Sequence, residues 1–177
     1  MSRNGSMERL IAGYRAFRGG RWQAEHERYV ELARDGQKPE TLVIACSDSR
    51  SDPATIFNAK PGELFVVRNI AAIVPPLEID NAHHGTTAAI AFGVLVLNVR
   101  NILVLGHAQC SGVAAALDKN FGDDIPFVRA WIDLLAPAVE RAGHAVYDDR
   151  PDVVIATFRE IVEAARASHA TALGPSP

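Results

Sequence analysis

The stretch Thr41-Leu42-Val43-Ile44-Ala45-Cys46-Ser47-Asp48-Ser49-Arg50 decides how the rest of the chain reads. Its first five residues form an apolar, β-rich run with no polar alternation, the pattern of a strand buried on both faces. At Cys46 the composition turns to small and charged residues, so the strand ends in a loop whose side chains can do chemistry. Strands covered on both faces belong to parallel sheets sandwiched between helices, so one such run predicts others.

Two more are present. Leu64-Phe65-Val66-Val67 follows the turn signal Pro61-Gly62, and Ile102-Leu103-Val104-Leu105 follows Arg100-Asn101. Between them His84-Gly85-Thr86-Thr87 opens a run to Val99, in which Thr86 or Thr87 can cap a helix continuing through Ala88, Ile90, Phe92 and Leu95. Helices separating buried strands predict parallel pairing and an α/β fold, a mostly parallel central β-sheet flanked by α-helices.

Upstream, residues 7–33 are polar with apolar returns at Leu10, Tyr14, Phe17, Trp22, Tyr29 and Leu32. This predicts an N-terminal helical extension of one or two amphipathic helices broken near Gly19-Gly20, lying on a surface or reaching a partner subunit. Downstream, residues 112–119, 127–141 and 153–170 read as helices around Pro137 and Pro151, and Gly174-Pro175-Ser176-Pro177 is a breaker cluster expected to be disordered.

At 177 residues and 48% apolar, the chain suits one domain with a real core and leaves little room for two. The organisation expected is a single domain over residues 1–177, with residues 1–36 as a helical arm and 171–177 as a disordered tail. A net charge of −3 and scattered Lys and Arg offer no basic field for nucleic acid. Residues 1–18 lack the apolar middle of a secretory signal, and the longest apolar stretch, residues 88–97, is too short to span a bilayer. A cytoplasmic location with no membrane partner is the expectation.

The chain has two cysteines, Cys46 and Cys110, and a reducing compartment disfavours a disulfide between them. Cys110 ends Gly106-His107-Ala108-Gln109-Cys110, directly after the third buried run. Loops at the carboxyl ends of parallel strands open on the same side of a sheet, so this segment and the Cys46 loop can meet. Taken singly, each cysteine reads as a small buried hydrophobe and His107 as a satisfied loop histidine. Taken together, Cys46, His107 and Cys110 form a Cys2His set that suits zinc, with a fourth position open, as in catalytic sites. A structural site would require a fourth Cys or His; none is suitably spaced, and only His83 and His84 keep that option open.

Asp48 and Arg50 follow Cys46 at two-residue steps, so in an extended loop all three project to similar sides. The carboxylate can fill the fourth metal position, or it can turn to the Arg50 fork and leave that position to water. A loop-shaping ion pair, or an Asp cap on the next helix, is the plainer role for the two residues.

Four segments, in order and spacing, now carry a resemblance. Cys46-Ser47-Asp48-Ser49-Arg50, Phe65-Val66-Val67-Arg68-Asn69-Ile70-Ala71, Val74-Pro75-Pro76 and Gly106-His107-Ala108-Gln109-Cys110 together resemble the β-class carbonic anhydrases over about residues 10–137. The resemblance implies one Zn2+ per chain on Cys46, His107 and Cys110, with Asp48 as a switching carboxylate able to act as fourth ligand and Arg50 as its partner. It also implies a substrate cleft lined by Gln37, Phe65, Ile70 and Phe92, and assembly as a homodimer or homotetramer. The implied activity is reversible hydration of carbon dioxide to bicarbonate and a proton, by attack of zinc-bound hydroxide. Because two thiolates cancel the metal's formal charge, activity is expected on the alkaline side. The other readings are a hydrolase of carbonyl sulfide or carbon disulfide on the same fold, and a catalytically silent zinc-binding homologue.

Three departures from the family pattern stand out. Ser111 follows Cys110 where a pair of glycines is usual, Ala91 replaces a common glutamate, and residues 146–177 do not resemble the usual ending, so the last sheet strand is expected to be missing.

Overall fold

The computed structural model describes residues 3–77, 83–118, 125–142 and 155–157. The chain divides into two compact units, Met1–Gln37 and Lys38–Pro177.

The first unit holds α1 (Arg3–Gly19), α2 (Arg21–Ala24) and α3 (His26–Asp35). The break foreseen at Gly19-Gly20 falls at Gly20, and a second at Glu25 makes three helices where one or two were expected. Phe17, Trp22 and Tyr29 gather into an aromatic cluster, with ring centroids 4.7 Å apart for Trp22–Tyr29 and 6.2 Å for Phe17–Trp22. The Arg18 guanidinium lies 4.6 Å over the Trp22 ring. The earlier apolar returns, Leu10 and Tyr14, stay exposed.

The second unit is built on β1 (Thr41–Cys46), α4 (Pro53–Ile56), β2 (Leu64–Asn69), α5 (Gly85–Ala91), β3 (Asn101–Leu105), α6 (Ser111–Asp118), α7 (Pro126–Asp133), α8 (Ala136–Ala142) and β4 (Ile155–Thr157). The sheet order is β2-β1-β3-β4. β1 runs parallel to both neighbours, with Ala45 level with Arg68 on β2 and with Leu105 on β3.

The reading of β1 holds residue by residue: Leu42, Val43, Ile44 and Ala45 are fully buried. Leu42 and Ile44 pack with Val94, Val99 and Ile102 on one face, while Val43 and Ala45 pack with Leu105 on the other. Each fully buried Leu, Val or Ile contributes about 1.5–3 kcal/mol relative to exposure, which makes β1 the best-anchored element and a firm base for the loop at its end.

Several expectations are corrected. β2 was read as buried on both faces but is an edge strand with Val66 38% exposed. A four-residue apolar run has no signal that separates a central strand from an edge. α5 starts at Gly85 with His84 at the cap position, so Thr86 and Thr87 lie inside its first turn, and it continues as a π turn over Phe92–Val96. The helix foreseen over residues 127–141 is two helices, because Pro137 has no N–H to donate to Asp133 and the helix must restart around it. The helix foreseen at 112–119 starts at Ser111, with Lys119 outside the described residues.

The largest correction concerns the last strand. Ile155–Thr157, placed in a helix over 153–170, instead pairs antiparallel with β3, with Leu105 opposite Ile155. The β-branched run Val153-Val154-Ile155 favours extended backbone, and a free sheet edge supplies its partner. The rest of 153–170 and the expected tail at 171–177 lie outside the described residues.

Candidate metal centre

β1 and β3 are neighbours and end level with each other, so the loops that leave them start side by side. The first carries Cys46 and Asp48, the second His107 and Cys110. The sulfurs of Cys46 and Cys110 lie 3.9 Å apart, both residues are buried, and neither is in a disulfide. With a ring nitrogen of His107 they form a set whose ligand atoms all lie within 4.8 Å of one another.

His107 tests whether a metal fits. Its Nδ1 lies 3.0 Å from the carbonyl oxygen of Ala108, which makes Nδ1 the protonated nitrogen and leaves a lone pair on Nε2. Among the described residues, that Nε2 is the only buried side-chain polar atom without a hydrogen-bond partner. A buried acceptor left unpaired costs about 1–3 kcal/mol, and a cation facing two thiols and this lone pair removes that cost. Burial pushes the Cys110 thiol up, and Cys46 adds to the rise, while the N–H groups of Val113 and Gly112 at the start of α6 oppose it. A thiol so placed gives up its proton most readily to a metal. The donor set fits Zn2+.

Asp48 faces Arg50 in the second of the two arrangements foreseen. Its Oδ1 accepts from Arg50 N–H and Nε–H, both at 2.9 Å, and its Oδ2 accepts from Nη2–H at 3.0 Å. The bidentate guanidinium, with the backbone N–H second, holds the carboxyl well below the usual carboxylate range. Arg50 Nη2–H also lies 3.4 Å from the Gln109 carbonyl oxygen, so one side chain spans both loops. Gln109 has φ 52°, in the left-handed region that non-glycine residues avoid.

Of the four residues assigned to the substrate cleft, the three in the second unit sit in two places. Ile70, 44% exposed, lines a cleft of about 400 Å3 with Ser47, Asn69, Thr86, Phe127 and Trp131. Phe65 and Phe92 lie together, ring centroids 6.0 Å apart, and neither lines that cleft. Gln37 is the exposed last residue of the first unit. Trp131 Nε1–H donates to the Ile70 carbonyl oxygen at 2.9 Å and ties α7 to the cleft. Trp131, Arg68 and Ser51 were missed in the sequence; the signal for Arg68 was its place inside a matched segment, while Trp131 and Ser51 had none.

Comparisons with known proteins agree with this architecture. Residues 41–170 match the family model described as carbonic anhydrase. The chain is 38% identical over 139 residues to Beta carbonic anhydrase 3 of Arabidopsis thaliana, a match covering 77% of this chain and 53% of that protein. It therefore spans about half the length of that curated relative. Among solved structures, the β-carbonic anhydrase CcaA superposes with a TM-score of 0.72 at 30% identity, covering 91% of this chain and 68% of that one. A tetrameric β-carbonic anhydrase from the ascomycete Sordaria macrospora superposes with a TM-score of 0.68 at 31% identity, covering 91% and 75%. The chain belongs to the carbonic anhydrase family. Within that family its relatives place it in the β class.

Proposed function

We propose that the chain catalyses the reversible hydration of carbon dioxide to bicarbonate and a proton, with one Zn2+ held by Cys46, His107 and Cys110. The observation that carries this reading is the unpaired, buried Nε2 of His107 beside two unbridged cysteine sulfurs, with Asp48 turned away onto Arg50. Zn2+ in such a set supplies a Lewis acid that yields hydroxide from water near neutral pH.

The chain's own residues then divide the work. Arg50 keeps Asp48 ionised and occupied, so the carboxylate does not fill the open position. Asp48 Oδ2 accepts one hydrogen bond from Arg50 where Oδ1 accepts two, and so keeps a lone pair that would accept a hydrogen bond from a water molecule or hydroxide beside it. Such a contact would orient that nucleophile toward the substrate. Ile70 and its apolar neighbours offer a linear, neutral molecule contact without hydrogen bonding.

The site of action proposed is the cytoplasm, because two thiols 3.9 Å apart suit a reducing compartment. No helix among the described residues is long and apolar enough to cross a membrane. Assembly as a homodimer or homotetramer is supported by the likeness to a tetrameric relative and by Phe127, 91% exposed at the rim of the cleft. Light scattering on the purified chain tests it, and a monomer at all concentrations counts against it.

Stopped-flow measurement of carbon dioxide hydration on metal-quantified protein, from neutral to alkaline pH, tests the activity. One zinc per chain and a rate that rises with pH are expected, with about a hundredfold loss in Asp48→Asn. Zinc without hydration would sink the proposal.

A further inference from the structure

Arg68 reaches from β2 into the loop that follows β1. Its Nε–H donates to the Cys46 carbonyl oxygen at 2.9 Å, its Nη2–H to the Asp48 carbonyl oxygen at 2.6 Å, and its Nη1–H to Asp52 Oδ1 at 3.3 Å. Ser51, 1% exposed, serves the same two carbonyls: its hydroxyl lies 2.9 Å from Cys46 O and 3.0 Å from Asp48 O. The Ser51 N–H also donates to Asp48 O at 3.0 Å. Both carbonyls therefore accept from a planar cation and lie within reach of one buried hydroxyl, whose single proton serves one of them at a time.

The two residues so pinned matter most to the site. Cys46 contributes a sulfur to the metal set, and Asp48 must stay on Arg50 to leave the fourth position free. Carbonyls two residues apart, gripped by one rigid fork, fix the backbone torsions between them. Arg68 grips the Cys46 and Asp48 carbonyl oxygens rather than the Cys46 sulfur or the Asp48 carboxylate, so it acts through the peptide.

We propose that Arg68, backed by Ser51, is a positioning residue: its guanidinium fork holds the Cys46–Asp48 loop so that the Cys46 sulfur meets His107 and Cys110 while Asp48 stays on Arg50. The inference rests on the zinc reading above. Without the fork the loop relaxes, the Cys46 ligand weakens, and the Asp48 carboxylate is free to move toward the metal.

The test is the Zn2+ affinity by chelator competition and the absorption spectrum of the Co2+-loaded chain, for wild type, Arg68→Gln, Arg68→Lys and Ser51→Ala, each checked for folding by circular dichroism. Arg68→Gln is expected to weaken Zn2+ binding by about 10–100-fold, as outer partners of metal ligands do, and to shift the Co2+ bands. Arg68→Lys, a point charge without a fork, is expected not to rescue either readout. Ser51→Ala is expected to weaken binding by about fivefold. Full rescue by lysine, or a folded Arg68→Gln chain with unchanged affinity and spectrum, overturns the proposal even if its melting temperature falls. Should Arg68→Gln not fold, an unchanged affinity and spectrum in Ser51→Ala overturns it. A wild-type chain that takes up neither ion defeats the zinc reading and this proposal together, whereas normal uptake with unaffected variants defeats this one alone.

Discussion

Ser111 and Gly112 stand side by side at the start of α6 and tolerate change very differently. A Cβ at Gly112 would lie 2.9 Å from the Ala71 Cβ and 3.0 Å from the Ile70 Cγ2, where nothing can yield without moving the backbone. Ser111 is exposed. Of the two glycines usual here, the chain has replaced the one with room and kept the one without. Gly112→Ala is expected to cost about 1–3 kcal/mol in denaturant unfolding, and Ser111→Ala no more than about 0.5 kcal/mol. Ala71, which that Cβ would meet, and its neighbour Ala72 sit at φ 64° and 54°, so the turn under α6 is itself constrained. At this scale the ligand set and the Asp48–Arg50 pair were legible, because thiols, an imidazole and a carboxylate announce their chemistry by type and spacing. Arg68, Ser51 and Trp131 were not, because they act on carbonyl oxygens, which every residue has and no sequence marks.

Among the elements, α4 shows how a short helix steadies the site's loop. Asp52 caps it, its Oδ2 accepting from Thr55 N–H at 3.0 Å and from the Thr55 hydroxyl at 2.6 Å, while its Oδ1 meets Arg68. The Thr55 hydroxyl and then the Thr55 N–H lower its pKa from the ordinary value of 3.8. A carboxyl lowered on folding stabilises the folded state above its ordinary range, and that stability is lost as pH falls through the folded value. Asp52→Ala is thus expected to cost about 1 kcal/mol at neutral pH, with the difference from wild type shrinking as the pH drops below about 4, read by urea unfolding at a series of pH values. The strands themselves were readable from their apolar runs. Their ranks in the sheet were not, because β2 and β1 differ in what lies beside them rather than in what they contain. The same holds for Ile155–Thr157, whose pairing depends on the free edge of β3.

Across the whole second unit, the ligand set joins parts of the chain that are far apart in sequence and adjacent in the sheet. The order β2-β1-β3-β4 makes the two ligand-bearing strands direct neighbours, so no third strand intervenes between Cys46 and Cys110. The parallel α/β reading puts both loops at the same end of the sheet, where they can meet, but it does not make their strands neighbours. The separate N-terminal unit owes its cohesion to its own aromatic cluster and supplies no ligand to the set. Cys46 and Cys110 are 64 residues apart along the chain, so a cation bound to both behaves thermodynamically as a cross-link. In the chain-entropy account, closing a loop of that length restricts the unfolded ensemble by about 4 kcal/mol. Stripping the metal with a chelator is therefore expected to lower the melting temperature by on the order of 10 °C, and re-addition of Zn2+ to restore it. An unchanged melting curve would mean that the tether is slack. If the shift appears, a cell short of zinc loses more than turnover: the chain becomes easier to unravel and to degrade, so its abundance follows the supply of its own metal.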